Sequence, residues 1–163
     1  MVIEENLVKP WDENCLREAI QAARDARANG NHPFGAVLAD GGGRVLMRAE
    51  NTVLTERDCT GHAETNLVQE ACKRYDTDFL AACTIYTSTE PCPMCAGAIF
   101  WANIGRVVYG LSEDKLYELT GSESKEVLAL PCRELMARGK KDINVIGPMM
   151  EAEALEVHEG FWG

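Results

Sequence analysis

Stretches with strand character alternate with stretches of helical periodicity along this 163-residue chain, and that alternation confines the fold to helices layered on a sheet. Cys15, Leu16, Ala19, Ile20, Ala23 and Ala26 recur at helical spacing, so a first helix is expected from Asp12, which stands where an N-cap would. Asn29-Gly30-Asn31-His32-Pro33 stops it. Residues 34–38 and 45–49 read as paired strands, reversed by Asp40-Gly41-Gly42-Gly43 because glycine accepts positive φ without steric cost. A loop follows through residue 60. A second helix is expected over 61–74, with Ala63, Leu67, Val68 and Ala71 inward, then a buried strand over 84–88. Pro91 suits the start of a helix running to about residue 102. That helix is nearly all apolar, which predicts burial between the sheet and another layer. Residues 107–109 and 143–146 supply two more strands, separated by a polar irregular stretch (112–126) and a helix (127–137). An acidic helix is expected over 149–159. The expected architecture is one domain over residues 1–163, a three-layer α/β/α sandwich around a mixed five-stranded sheet.

The composition narrows the partners. Hydrophobic residues make up 46% of the chain, enough for a substantial core, and the formal net charge is −10 with no run of Lys or Arg. Binding to a phosphate backbone draws on cationic side chains, so nucleic acid is disfavoured and a neutral small molecule suits the chain better. The seven cysteines are an odd number, and Met1-Val2-Ile3-Glu4-Glu5-Asn6 lacks a basic stretch leading into an apolar one. Both features disfavour a secreted disulfide framework, and no apolar run approaches the roughly 20 residues of a membrane span. A cytoplasmic setting is expected. Cys15, Cys72 and Cys132 fall in expected helices and read as core thiols; His32 and His158 read as ordinary polar residues.

Two short motifs carry chemistry: His62-Ala63-Glu64 and Pro91-Cys92-Pro93-Met94-Cys95. One imidazole and two thiolates suit zinc, and three protein ligands leave a fourth position for water. Cysteines three apart on a helical turn face the same side, and a helix N-terminus favours their thiolates. Glu64 need not ligate; it can move protons to and from a water that zinc ionises near neutral pH. The competing readings are a redox Cys-x-x-Cys pair, a structural zinc with Cys59 or Cys83 as fourth ligand, and an inactive zinc-binding partner subunit. Glu64 counts against the last.

The combined signature, His-x-Glu followed by Pro-Cys-x-x-Cys, resembles the zinc-dependent cytidine and deoxycytidylate deaminase-like family. Pro33-Phe34-Gly35-Ala36-Val37, Asn51, Asp58, Thr60, Thr87-Ser88, Glu90 to Cys95 and Gly97 to Ala102 resemble its bacterial guanine deaminases. The resemblance implies a cytidine deaminase-like fold, one Zn²⁺ per chain held by His62, Cys92 and Cys95, Glu64 as catalytic proton carrier, and a homodimer. It further implies substrate contacts from Asn51, Phe34, Ala63 and Trp101. Downstream the chain departs from that group: Thr120-Gly121-Ser122-Glu123 stands where paired aspartates are usual, leaving Glu123 as the nearest carboxylate. The tail His158-Glu159-Gly160-Phe161-Trp162 is closer to fungal cytosine deaminases, which makes Glu159, Phe161 and Trp162 candidate contacts. Hydrolytic deamination of guanine to xanthine is the first expectation. Cytosine, another small amino-heterocycle or a nucleoside is the alternative, and a tRNA adenosine is the weaker one.

Overall fold

A computed structural model describes residues 7–163, so the reading of the first six residues lies outside the described ones. In chain order the elements are α1 (Asp12–Ala28), β1 (Gly35–Ala39), β2 (Val45–Glu50), α2 (Val53–Glu56), α3 (Ala63–Arg74), α4 (Thr77–Ala81) and β3 (Thr84–Thr89). They continue with α5 (Pro93–Ala102), β4 (Arg106–Leu111), α6 (Glu113–Thr120), α7 (Cys132–Ala137), β5 (Asn144–Ile146) and α8 (Glu151–Glu156). The five strands form one mixed sheet in the order β2-β1-β3-β4-β5. β1 runs antiparallel to β2 and β3, while β3, β4 and β5 are parallel.

Strand residues point alternately to opposite faces, and that period of two makes the layers. Val37, Ala39, Tyr86 and Val108 pack on α1 and α8, whereas Ala36, Leu38, Ile85, Val107 and Tyr109 pack on α3 and α5. A Cβ on Gly35 would lie 2.4 Å from the Ala23 backbone N and 2.5 Å from the Ala19 carbonyl O; only glycine lets α1 lie this close to β1. Gly43 takes φ +86° in the β1–β2 reversal, against the ring of Trp11.

The register gathers several chain ends at one edge. Gly35 pairs with Glu50, Ala36 with Thr87, and Thr89 with Leu111. The start of β1, the end of β2 and the ends of β3 and β4 therefore meet there, and α3 and α5 begin beside them. At the opposite end of the sheet, Arg106 at the start of β4 reaches Asp12 of α1. Asp12 accepts hydrogen bonds from the Tyr86 hydroxyl (2.6 Å), the Arg106 guanidinium (2.8 Å to Oδ1) and the Lys9 N–H (2.7 Å).

Several sequence expectations need correction. Asp12 is not the N-cap of α1: Trp11 is, and Asp12 turns inward because a buried guanidinium outcompetes the helix end for its carboxylate. Residues 113–120 are helical, since Ser112 caps the Lys115 N–H and two acids occupy the first turn. Pro131 confines the next helix to α7, as a proline inside it would clash with the preceding turn; Tyr117 instead pins Leu128 by both its N–H and C=O. The terminal helix is only α8, and α2 and α4 had no signal long enough to read. Cys72 is exposed because it falls outside the 63-64-67-68-71 stripe of α3, while Cys15 and Cys132 are buried. Finally, α5 is not sandwiched: Cys95, Ala96, Ile99 and Ala102 are buried, but Trp101 is 78% exposed and Met94 lies open.

Candidate metal centre and substrate pocket

His62 is the N-cap residue of α3 and Cys92 that of α5, with Pro93 opening the helix. Both motifs thus present their side chains at helix starts on the same sheet edge. His62 Nδ1 lies 3.5 Å from each of the Cys92 and Cys95 sulfurs, and the three ligand atoms are all within 4.8 Å of one another. Tetrahedral zinc, with Zn–S of about 2.3 Å and Zn–N of about 2.0–2.1 Å, places N and S about 3.6 Å apart. The donor set fits that ion in chemistry and in spacing. Hydrogen bonding to Cys95 and His62 lowers the Cys92 thiol to about 4 against desolvation. The same bond to Cys92, with burial, pushes Cys95 up, and the contact with Cys92 raises His62. Thr65 places its hydroxyl 3.3 Å from the Cys95 sulfur.

Glu64 follows in the first turn of α3, only 5% exposed. Burial, then the nearby Cys92 charge, pushes its carboxyl up to about 7. A carboxyl that titrates near neutrality can both accept and return a proton.

Around this centre the structure brings together some of the expected contacts. Asn51 is buried; its N–H reaches the Phe34 carbonyl (3.1 Å) and its Oδ1 accepts the Val53 N–H (3.1 Å). Ala63 is fully buried between His62 and Glu64. The Phe34 ring stands 5.5 Å from His158 and 6.2 Å from Trp162, and Phe161 packs edge-on to Trp162 at 4.8 Å. Glu159 is exposed and shares with Leu119, Leu155, His158 and Trp162 a cavity of about 220 Å³. Three candidates are not brought to the metal ligands: Glu123 is exposed in the turn after α6, Trp101 points outward from α5 beside Phe100, and Glu159 lines only the cavity at the tail, which holds none of the ligands.

Two histidines read as ordinary polar residues belong to this cluster. His32 sits 5.7 Å from Trp162 and 6.0 Å from Phe161, and burial together with the neighbouring His62 lowers its pKa. His158 is buried against Phe34, Thr89 and Trp162. The loop before Phe34 was the one available clue to His32; for His158 the nearby Trp162 was not enough, because the residues that bury it, Phe34 and Thr89, are remote in sequence. Glu90, beside the cysteine motif, accepts the Glu113 N–H (3.0 Å) and the Cys132 N–H (2.9 Å) and so fastens α6 and α7 to the metal strand. Burial, then Glu90, pushes Glu113 up to about 7.

Three ligand atoms grouped with no fourth protein ligand among the described residues, and a buried carboxyl at the same helix start, are the parts of a zinc-dependent hydrolase, in which water would take the remaining position. The chain belongs to the cytidine and deoxycytidylate deaminase family: the model of that family's zinc-binding region matches residues 9–111. A probable cytosine deaminase of Schizosaccharomyces pombe is 44% identical over 149 residues, 90% of each chain. The guanine deaminase of Bacillus subtilis is 41% identical over 98 residues, 60% of this chain and 62% of that one. A solved structure from work on A-to-I editing by tRNA:A34 deaminases superposes with TM-score 0.68 at 27% identity, covering 89% of this chain and 99% of that one. The chain is accordingly a zinc-dependent hydrolytic deaminase with a cytidine deaminase-like fold.

Proposed function

We propose that this deaminase acts on a free single-ring aminopyrimidine, cytosine before others, converting it with water to uracil and ammonia. The observation that carries the reading is the aromatic roof made by the chain's own tail. His158, Phe161 and Trp162 pack edge-on and tilted against His32 and Phe34, and His32 is near enough to the ligand His62 to feel its charge, which makes a water-excluding aromatic cluster suited to a small ring. This tail lies beyond residue 111, where the family model ends, and the similarity to the S. pombe protein extends past that point. The first expectation, guanine, becomes the second reading. It is favoured by Pro33-Phe34-Gly35 and the B. subtilis relative, but the carboxylate expected to handle a purine amino group, Glu123, stands exposed in a turn.

Zinc, when bound, supplies water that ionises near neutral pH. His62, Cys92 and Cys95 hold the metal. Glu64 takes a proton from the attacking water, gives it to the ring nitrogen beside the C–NH₂ carbon, and transfers a second to the departing amine. Asn51, oriented by its bond to the Val53 N–H, positions the ring by its polar edge.

Polynucleotide substrates are disfavoured by the ground around Asn51. That groove, of about 640 Å³, is lined by Glu50, Glu56, Asp58 and Glu70 and by no Lys or Arg, which repels phosphates. The assembly is a homodimer in which a second copy covers the open face of α5 around Trp101 and Met94. The free thiols fit a reducing, cytoplasmic setting. The test is an ammonia-release screen of cytosine, guanine, adenine and their nucleosides with zinc-loaded protein, using Glu64→Ala as control. The highest kcat/KM is expected on cytosine; a preference for guanine or for a nucleoside overturns the assignment.

A further inference from the structure

His158 is the most enclosed polar group in the tail. It is 3% exposed and has a partner on each ring nitrogen: Trp162 Nε1 lies 2.9 Å from Nδ1, and Thr89 Oγ1 lies 3.5 Å from Nε2. An indole N–H can only donate, so Nδ1 must be the unprotonated nitrogen. A neutral imidazole then carries its proton on Nε2, facing the Thr89 hydroxyl. The two rings are also near-parallel, 16° apart at a centroid distance of 6.1 Å. Burial, with Arg27 nearby, lowers the His158 pKa to about 4, which keeps the ring neutral at working pH.

These contacts join two parts of the pocket. Thr89 ends β3, three residues before the ligand Cys92. Trp162 meets both His32, itself within the influence of His62, and Phe34. From this geometry we infer that His158 is a positioning residue: its Nδ1 captures the Trp162 indole N–H, locking the tail's last aromatic ring as the roof of the substrate pocket and thereby setting substrate affinity.

The inference rests on the reading of the tail as a roof over a small amino-heterocycle. Leucine at 158 keeps much of the bulk and removes the acceptor, whereas asparagine restores an acceptor close to the place of Nδ1. Loss of the lock frees the tail's last turn and exposes the bound ring to water, so the effect falls mainly on KM, by about tenfold for one buried hydrogen bond. Steady-state kinetics on cytosine with zinc-loaded protein should show that rise in His158→Leu, a comparable rise in Trp162→Phe, no further rise in the double variant, and a KM near wild type in His158→Asn. Effects of the two single variants that multiply in the double, or a loss in His158→Leu that falls on kcat alone, overturn the inference.

A readout without substrate separates this claim from the choice of cytosine. The accessibility of Trp162 to acrylamide, taken as the fluorescence difference between each protein and its Trp162→Phe counterpart, should increase in His158→Leu and stay at the wild-type level in His158→Asn. Unchanged quenching in His158→Leu overturns the lock even if cytosine is turned over. Increased quenching alongside no cytosine turnover in the parent protein upholds the lock and overturns the substrate instead.

Discussion

Replacing Arg106 with methionine isolates the interaction that ties α1 to the centre of the sheet. Asp12 is fully buried and the Arg106 side chain only 12% exposed, so solvent screens the pair little. Removing one partner of such a pair costs about 3–5 kcal/mol, because the remaining charge is left buried. At about 2–4 °C per kcal/mol for a chain of this length, Tm should fall by about 10 °C. The loss should also depend on pH. Burial pushes the Asp12 carboxyl up, but the Arg106 guanidinium, the Lys9 N–H and the Tyr86 hydroxyl outweigh it and hold it below its ordinary value of 3.8. Asp12 therefore stabilises the wild-type fold above that value, and the contribution disappears as acid protonates it. Without Arg106 its folded pKa rises, so the deficit of the variant should be largest near pH 7, decline as acid protonates the unpaired carboxyl, and be clearly smaller at pH 4. Urea unfolding at pH 7 and at pH 4 measures both quantities. Asp12→Asn in the Arg106→Met background should recover a good part of the loss at pH 7, since no orphan charge remains. A deficit under about 1 kcal/mol, or one equal at the two pH values, refutes the reasoning. The pair sits at the sheet end away from His62, so turnover per folded molecule should persist.

Gly35→Ala should destabilise the protein by several kcal/mol and raise KM, because a Cβ 2.4 Å from the Ala23 backbone N forces α1 away from β1 and shifts Phe34; thermal melts and kinetics check this together. If the proposed homodimer forms through the open face of α5, the parent protein should sediment as a dimer and Trp101→Glu, which places a charge on that face, as a monomer; a monomeric parent overturns the proposal. Glu64→Gln should retain zinc but lose at least about 100-fold in rate, as expected for an acid–base group; zinc content and ammonia release report the two separately.

The metal centre was legible because each ligand carries its chemistry in short motifs, His62-Ala63-Glu64 and Cys92 to Cys95; the sequence puts the helix start at Pro91, whereas Cys92 is the N-cap and Pro93 opens α5. The five strands were legible from alternation and from the glycines at 41–43. What escaped depends on partners far apart in sequence. Asp12 looked like a cap until Arg106, ninety-four residues away, claimed it. His158 read as an ordinary polar residue, because Thr89, which faces its Nε2, lies sixty-nine residues distant. The apolar run of α5 was read as burial, yet periodicity alone cannot say whether the second apolar face meets the same chain or another one. The helix over 113–120 was hidden by its polar composition, its local signals being the Ser112 cap and the two acids that follow it.

The most direct measurement is zinc K-edge X-ray absorption on the purified protein, with metal content determined on the same sample. A site made by His62, Cys92 and Cys95 with its fourth position open to water should contain one zinc per chain. It should also give two sulfur scatterers at about 2.3 Å and two nitrogen or oxygen scatterers at about 2.0–2.1 Å. A third sulfur in the shell, or a protein that binds no zinc with these three residues intact, contradicts the account.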